Sequence, residues 1–179
     1  NILSLNPQHS DTLHLYGMGH FSLGSLDKAV NCLSKAIILD STRWIFHLNL
    51  GLILRKQGAL EEAVKANRKA AKLAPEVPAV HFNLGRSLEE FSLKDDAITS
   101  YRTAIKLDPK LDSAFNNLGI LLRKKGLVTE AIQAFETAIT LCPHAVGART
   151  NLAGCYKDIS RTKEAVEHYR TALQSDSFA

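Results

Sequence analysis

Four asparagines, Asn49, Asn83, Asn117 and Asn151, stand 34 residues apart. A primary amide carries donors and an acceptor side by side, the complement of the C=O and N–H of a polypeptide backbone. Asparagine is a mediocre helix former, so a run of four at one helix-interior position is unusual as pure scaffolding. Two readings stay open. Either the amides hold an extended chain while reading little of its sequence, or they bond to neighbouring helices and water. Leu15 occupies the same place one period earlier, so the row stops at Asn49.

A second row runs beside the first: Arg55, Lys56, Arg86, Arg123, Lys124 and Lys157, with Glu89, Glu90 and Asp158 between them. Facing a ligand, it would be basic at both ends and mixed in the middle. It would favour an acidic stretch of partner with salt-sensitive affinity; facing solvent, it would only keep the chain soluble. Toward the N-terminal end the same wall turns apolar, through Leu48, Leu52, Phe82, Met18, Phe21 and Ile45. Exposed together, these would form a patch for a partner helix or a second copy.

Catalytic chemistry finds no footing. Nothing matches a phosphate-cradling glycine loop, a nucleophile elbow or a zinc helix motif. Glu61–Glu62, Glu89–Glu90 and Asp95–Asp96 are adjacent pairs, and adjacent residues on a helix do not face each other. His47 and His81 lie one period apart; helices stacked at ~10 Å hold them too far apart to share a metal with bonds of ~2 Å. Cys32, Cys142 and Cys155 are odd in number and lack ligand spacing, which suits small half-buried residues in a reducing compartment and favours a cytoplasmic location. The sequence implies no enzyme, no metal and no cofactor.

The elements that must position these residues follow the same clock. Gly17, Gly51, Gly85 and Gly119 recur every 34 residues, as do Ala29, Ala63, Ala97, Ala131 and Ala165, and Ala36, Ala70, Ala104, Ala138 and Ala172. Small residues in step on a helical background mean stacked helical pairs. Five units can be laid end to end, 10–43, 44–77, 78–111, 112–145 and 146–179, after a tail of a preceding unit over 1–9 that carries Leu5 and Pro7. The chain therefore reads as a segment of a longer protein, with no polar helix capping its C-terminal face. In the fourth unit Phe115, Leu118, Gly119 and Leu122 mark a first helix over about 112–125. Gly126 breaks it, in the place of Gly24 and Gly58, and a second helix is predicted over about 128–141 before Pro143. Glycine and alanine would let the rods approach closely, while Phe135, Tyr101 and Tyr169 fill the space beside them.

These residues resemble the tetratricopeptide repeat along essentially the whole chain. Unit four carries Phe115, Leu118, Gly119, Leu122, Ala131, Phe135, Ala138 and Pro143; unit three carries Leu84, Gly85, Leu88, Ala97, Tyr101, Ala104 and Pro109. Departures fall at Asn67, where a large aromatic belongs, at Ala153 for glycine, and at Ser41 and Ser177 for proline. The resemblance implies an all-α, right-handed superhelical solenoid of antiparallel helix pairs, with first helices lining a concave wall that binds polypeptide. The asparagine row is similar to that in the tetratricopeptide region of O-linked N-acetylglucosaminyl transferases, which implies that Asn49, Asn83, Asn117 and Asn151 hold ligand main chain. The carboxylate clamp of chaperone-binding members is not expected. Its lysine places hold Asp11, Ile45, Ala79, Ser113 and Gly147, and His14, Leu48, Phe82, Asn116 and Thr150.

The net charge of +4 is concentrated in 44–77, where six Lys/Arg oppose three Asp/Glu. That is too local for a nucleic-acid footprint, and no apolar run suits a bilayer span. The expectation is a protein-interaction scaffold that binds an extended polypeptide in a concave groove. Two rivals are the substrate-recruiting arm of a larger glycosyltransferase and a homo-oligomeric scaffold that self-associates through uncapped apolar ends near Ala165, Tyr169 and Leu173.

Overall fold

The computed structural model describes residues 9–176; Leu5, Pro7 and Ser177 lie outside them. Among the described residues every regular element is an α-helix. In chain order these are α1 (Ser10–Ser22), α2 (Leu26–Leu39), α3 (Trp44–Gln57), α4 (Leu60–Leu73), α5 (Pro78–Glu90), α6 (Lys94–Leu107), α7 (Asp112–Lys124), α8 (Val128–Leu141), α9 (Val146–Asp158) and α10 (Thr162–Asp176). The odd-numbered helices start at 10, 44, 78, 112 and 146, the same 34-residue step that spaces the small residues. No helix among the described residues is long and apolar enough to cross a membrane.

The chain forms two compact units, 1–97 and 98–179, divided within α6. In the first, α1 packs on α2 and α3 on α4, while α2 meets α3 and α4 meets α5. In the second, α7 packs on α8, α8 on α9 and α9 on α10. Alanine makes these approaches possible: all ten periodic alanines are at most 4% exposed. Around them Leu33, Phe46 and Ile53 in the first unit, and Leu121, Phe135 and Leu152 in the second, are fully enclosed. Each such side chain contributes about 1.5–3 kcal/mol of burial.

Glycine is required where α7 meets α8 for want of space. A Cβ on Gly119 would sit 2.7 Å from the Phe135 ring. In the second repeat the partner of Gly51 is Asn67, which is 1% exposed. Its Nδ2 donates to Ser87 Oγ at 2.8 Å, so a buried polar pair stands where Phe135 stands in the fourth. Tyr169 differs from Tyr101 and Phe135 in being 38% exposed, because no first helix follows α10 among the described residues.

The turns inside the pairs share one conformation. Gly24, Gly58 and Gly126 have φ between 74° and 84°, and Ser92 and Ser160 hold the same place at 69° and 61°. The left-handed region favours glycine, and serine occupies it twice.

Candidate functional site

The candidate residues lie on the odd-numbered helices, and each unit presents its own set. In the first unit Asn49 is half-buried on α3, and its Nδ2 lies 2.7 Å from His14 Nε2 on α1. An amide nitrogen donates, so His14 accepts and is neutral at Nε2. Burial chiefly lowers the His14 pKa from 6.5; Asp11 opposes this and Arg43 adds to it. The imidazole also lies against Phe46, with centroids 4.9 Å apart and the rings tilted by 33°. On α5, Asn83 Nδ2 donates to Ala79 O at 2.8 Å, within its own helix. Phe82 and Arg86 flank it, the guanidinium carbon 5.9 Å from the Phe82 ring centre.

Two expected members of this face are not available to a ligand. Leu48 is 8% exposed and packs with Ala70 and Val80, because its place on α3 turns toward α4 and α5. Arg55 is also 8% exposed and gives its Nη1 to Glu90 Oε1 at 2.5 Å. It ties α3 to α5 rather than offering a free cation. The apolar wall around them is likewise partly core: Met18 and Phe21 pack on Ala29, Leu33 and Ile53, and Ile45 packs on the Leu48 cluster.

The second unit gathers its residues more closely. Asn151 Nδ2 on α9 donates to Asn116 Oδ1 on α7 at 3.1 Å. Asn116 Nδ2 donates to Asn117 Oδ1, and Asn117 Nδ2 to Tyr101 Oη, both at 3.4 Å. Three amides and a phenol thus form a directional relay. Beside it Arg123 crosses from α7 to grip Asp158 on α9, Nε–Oδ2 at 2.6 Å and Nη2–Oδ1 at 3.2 Å. The bidentate pair is charge-assisted, and it holds the Asp158 carboxyl below its ordinary value, mainly through the hydrogen bond from Arg123. Gly154 permits the crossing, since a Cβ there would meet the Arg123 guanidinium. Ile120, Arg123, Lys124, Asn151 and Asp158, with Phe135 beneath, line a cleft of about 350 Å³. Lys157 is exposed at the end of α9.

Sequence spacing missed three contributors: Asn116, Tyr101 and Gly154. By sequence Asn116 marks only a place where a clamp lysine is absent. Tyr101 is core by its spacing, although its hydroxyl reaches the amide relay. The histidines found a structural use. His47 Nε2 lies 3.0 Å from Ser41 O, and His81 Nε2 lies 2.7 Å from Pro75 O. Arg149, at the same repeat position, donates Nη2 to Pro143 O at 2.9 Å. One place in the repeat therefore latches the preceding loop to the start of its helix.

A family profile described as tetratricopeptide repeat matches residues 17–78, 66–112, 82–146 and 116–179. No curated protein matches the sequence. Among solved structures, MamA is similar at 24% identity and a TM-score of 0.85, over 90% of this chain and 94% of that one. YrrB, described as a TPR protein with an unusual peptide-binding site, is similar at 20% identity and 0.80, over 97% and 89%. PilF of Pseudomonas aeruginosa is similar at 21% identity and 0.83, over 93% and 76%.

Proposed function

Because the chain belongs to the tetratricopeptide-repeat family, whose members are typically non-enzymatic interaction scaffolds, we propose that its odd-numbered helices bind an extended polypeptide through asparagine amides. The observation that carries this reading is the unused capacity of Asn83. Its one hydrogen bond among the described residues goes to its own helix, which leaves a second Nδ2 proton and the Oδ1 acceptor to meet a ligand's C=O and N–H. In the second unit Asn151 and the Arg123–Asp158 pair rim the cleft, with Ile120 and Phe135 giving it an apolar floor. That combination suits one apolar ligand side chain whose backbone is held at the rim. Arg86 adds positive charge one turn from Asn83, and Lys124 lines the cleft with Asn151, which suits a ligand with acidic flanks. The resemblance of the asparagine row to that of O-linked N-acetylglucosaminyl transferases favours main-chain recognition over side-chain readout.

The test is calorimetry with a peptide selected by display against the wild-type chain. Asn83→Ala removes one ligand hydrogen bond, about 1 kcal/mol, and weakens binding roughly fivefold with little change in melting temperature. Unchanged binding, or a large loss of stability, makes the asparagines structural.

Self-association is a second reading, favoured by the apolar face of α10. Val166, Tyr169 and Leu173 are 49%, 38% and 71% exposed. A concentration-independent monomer in light scattering excludes it.

A further inference from the structure

Arg123 differs from every other residue at its place in the repeat. That place holds Phe21, Arg55, Glu89 and Lys157 elsewhere, so a guanidinium occurs there only at Arg55 and Arg123. Both reach an acid on the next odd-numbered helix, Arg55 to Glu90 and Arg123 to Asp158. Their surroundings then diverge. Two repeats before the cleft-lining Ile120, Arg123, Phe135, Asn151 and Asp158 stand Leu52, Arg55, Asn67, Asn83 and Glu90. Beside Asn67 the Arg55 side chain is only 6% exposed, whereas that of Arg123 is 34% exposed. The open site with an apolar floor therefore belongs to the second unit and is not a general feature of the repeat.

The hydrogen bonds to Asp158 leave Arg123 from Nε and Nη2, along one edge of the guanidinium plane, and so occupy neither face. One side of the group lies across α9, where a Cβ on Gly154 would meet Nη1, Cζ and Nη2 at 2.5, 2.8 and 2.9 Å. The group also lines the cleft of about 350 Å³, beside Ile120 and above the buried Phe135. Resting on the reading of this cleft as the seat of one apolar ligand side chain, we infer that the side chain is aromatic and stacks on the exposed face of Arg123, against Ile120. A ring offers its negative face to the cation. A guanidinium already fixed by two bonds loses little freedom when the ring arrives. An acidic side chain is disfavoured, because Asp158 both neutralises Arg123 and lines the cleft itself. An aliphatic one would fill the space without using the cation.

The test is NMR titration of the 15N-labelled chain with two neutral probes, N-acetyl-phenylalanine amide and N-acetyl-leucine amide. The aromatic probe should reach half-saturation at a concentration about fivefold lower, with the Arg123 Nε–H proton moving upfield under the ring current. Arg123→Lys keeps the charge but not the planar face, and should remove the preference by weakening the aromatic probe alone. Equal affinity for the two probes in the wild-type chain, or an unmoved Arg123 Nε–H signal at saturation, overturns the proposal and leaves the cleft an unselective apolar pocket. No binding of either probe by a chain that still binds the display-selected peptide also overturns it, while the asparagine reading stands. Tighter binding of adenosine monophosphate than of the aromatic probe overturns it in favour of a nucleotide.

Discussion

At Asn49 and Asn151 the amide is already engaged across a helix pair. Each donates to a side chain on the preceding odd-numbered helix, His14 and Asn116 respectively, and each keeps its remaining capacity for a ligand. The two original readings of the asparagine row are therefore compatible: a bond to a neighbouring helix fixes the rotamer, and a fixed amide loses less entropy on binding. His14 gives this residue-scale account a pH signature. Its folded-state pKa lies below the ordinary 6.5, as does that of His168, in both cases chiefly through burial. The unfolded chain then binds more protons than the folded one once the pH drops toward 6.5, so stability falls as the solution is acidified through that range. Thermal melts between about pH 7.5 and 5.5 should show the decline, and His14→Gln should make it shallower. A flat profile, or one that rises on acidification, contradicts the assignment of a neutral acceptor. The asparagine row was legible because an odd residue type recurred at a helix-interior place. The fates of Leu48 and Arg55 were not, since which flank of α3 faces α5 depends on packing that the 34-residue period does not specify.

Among the helices, the agreement between spacing and structure traces to two kinds of small residue with different jobs. Gly119 is small because Phe135 lies against it, and Gly126 is glycine because its φ is 79°. Substitutions should separate the two. Gly119→Leu drives a side chain into an enclosed ring and should cost about 1–3 kcal/mol by overpacking, read as a lower denaturation midpoint; a wild-type midpoint removes the helix-contact assignment. Ser160→Gly acts in the opposite direction. It relieves a left-handed serine and should raise stability by roughly 1 kcal/mol, whereas a loss of stability means the serine side chain does something the backbone argument omits. Sequence spacing identified glycine in three of these turns and passed over Ser92 and Ser160, because nothing about serine announces a positive φ. Asn67 was legible as a departure but not as half of a buried pair. Its partner Ser87 is an unremarkable residue until α5 is set beside α4.

For the whole chain, the composition located the charge without locating its face. The cations of 44–77 divide between α3, with Arg55 in a buried ion pair and Lys56 exposed, and an exposed stripe on α4, and only the folded arrangement separates them. The family and the all-helical class followed from periodicity. The surfaces did not, since they depend on which cations find partners across a repeat boundary. What the folded chain presents on its odd-numbered helices is a set of asparagine amides and, in the second unit, a cleft beside them. The most direct measurement is side-chain amide NMR on the 15N-labelled chain titrated with the display-selected peptide. The Asn83 NH2 signals should shift with saturation while backbone signals around Lys69 and Lys72 stay in place. Unmoved asparagine signals in a saturated complex contradict the account.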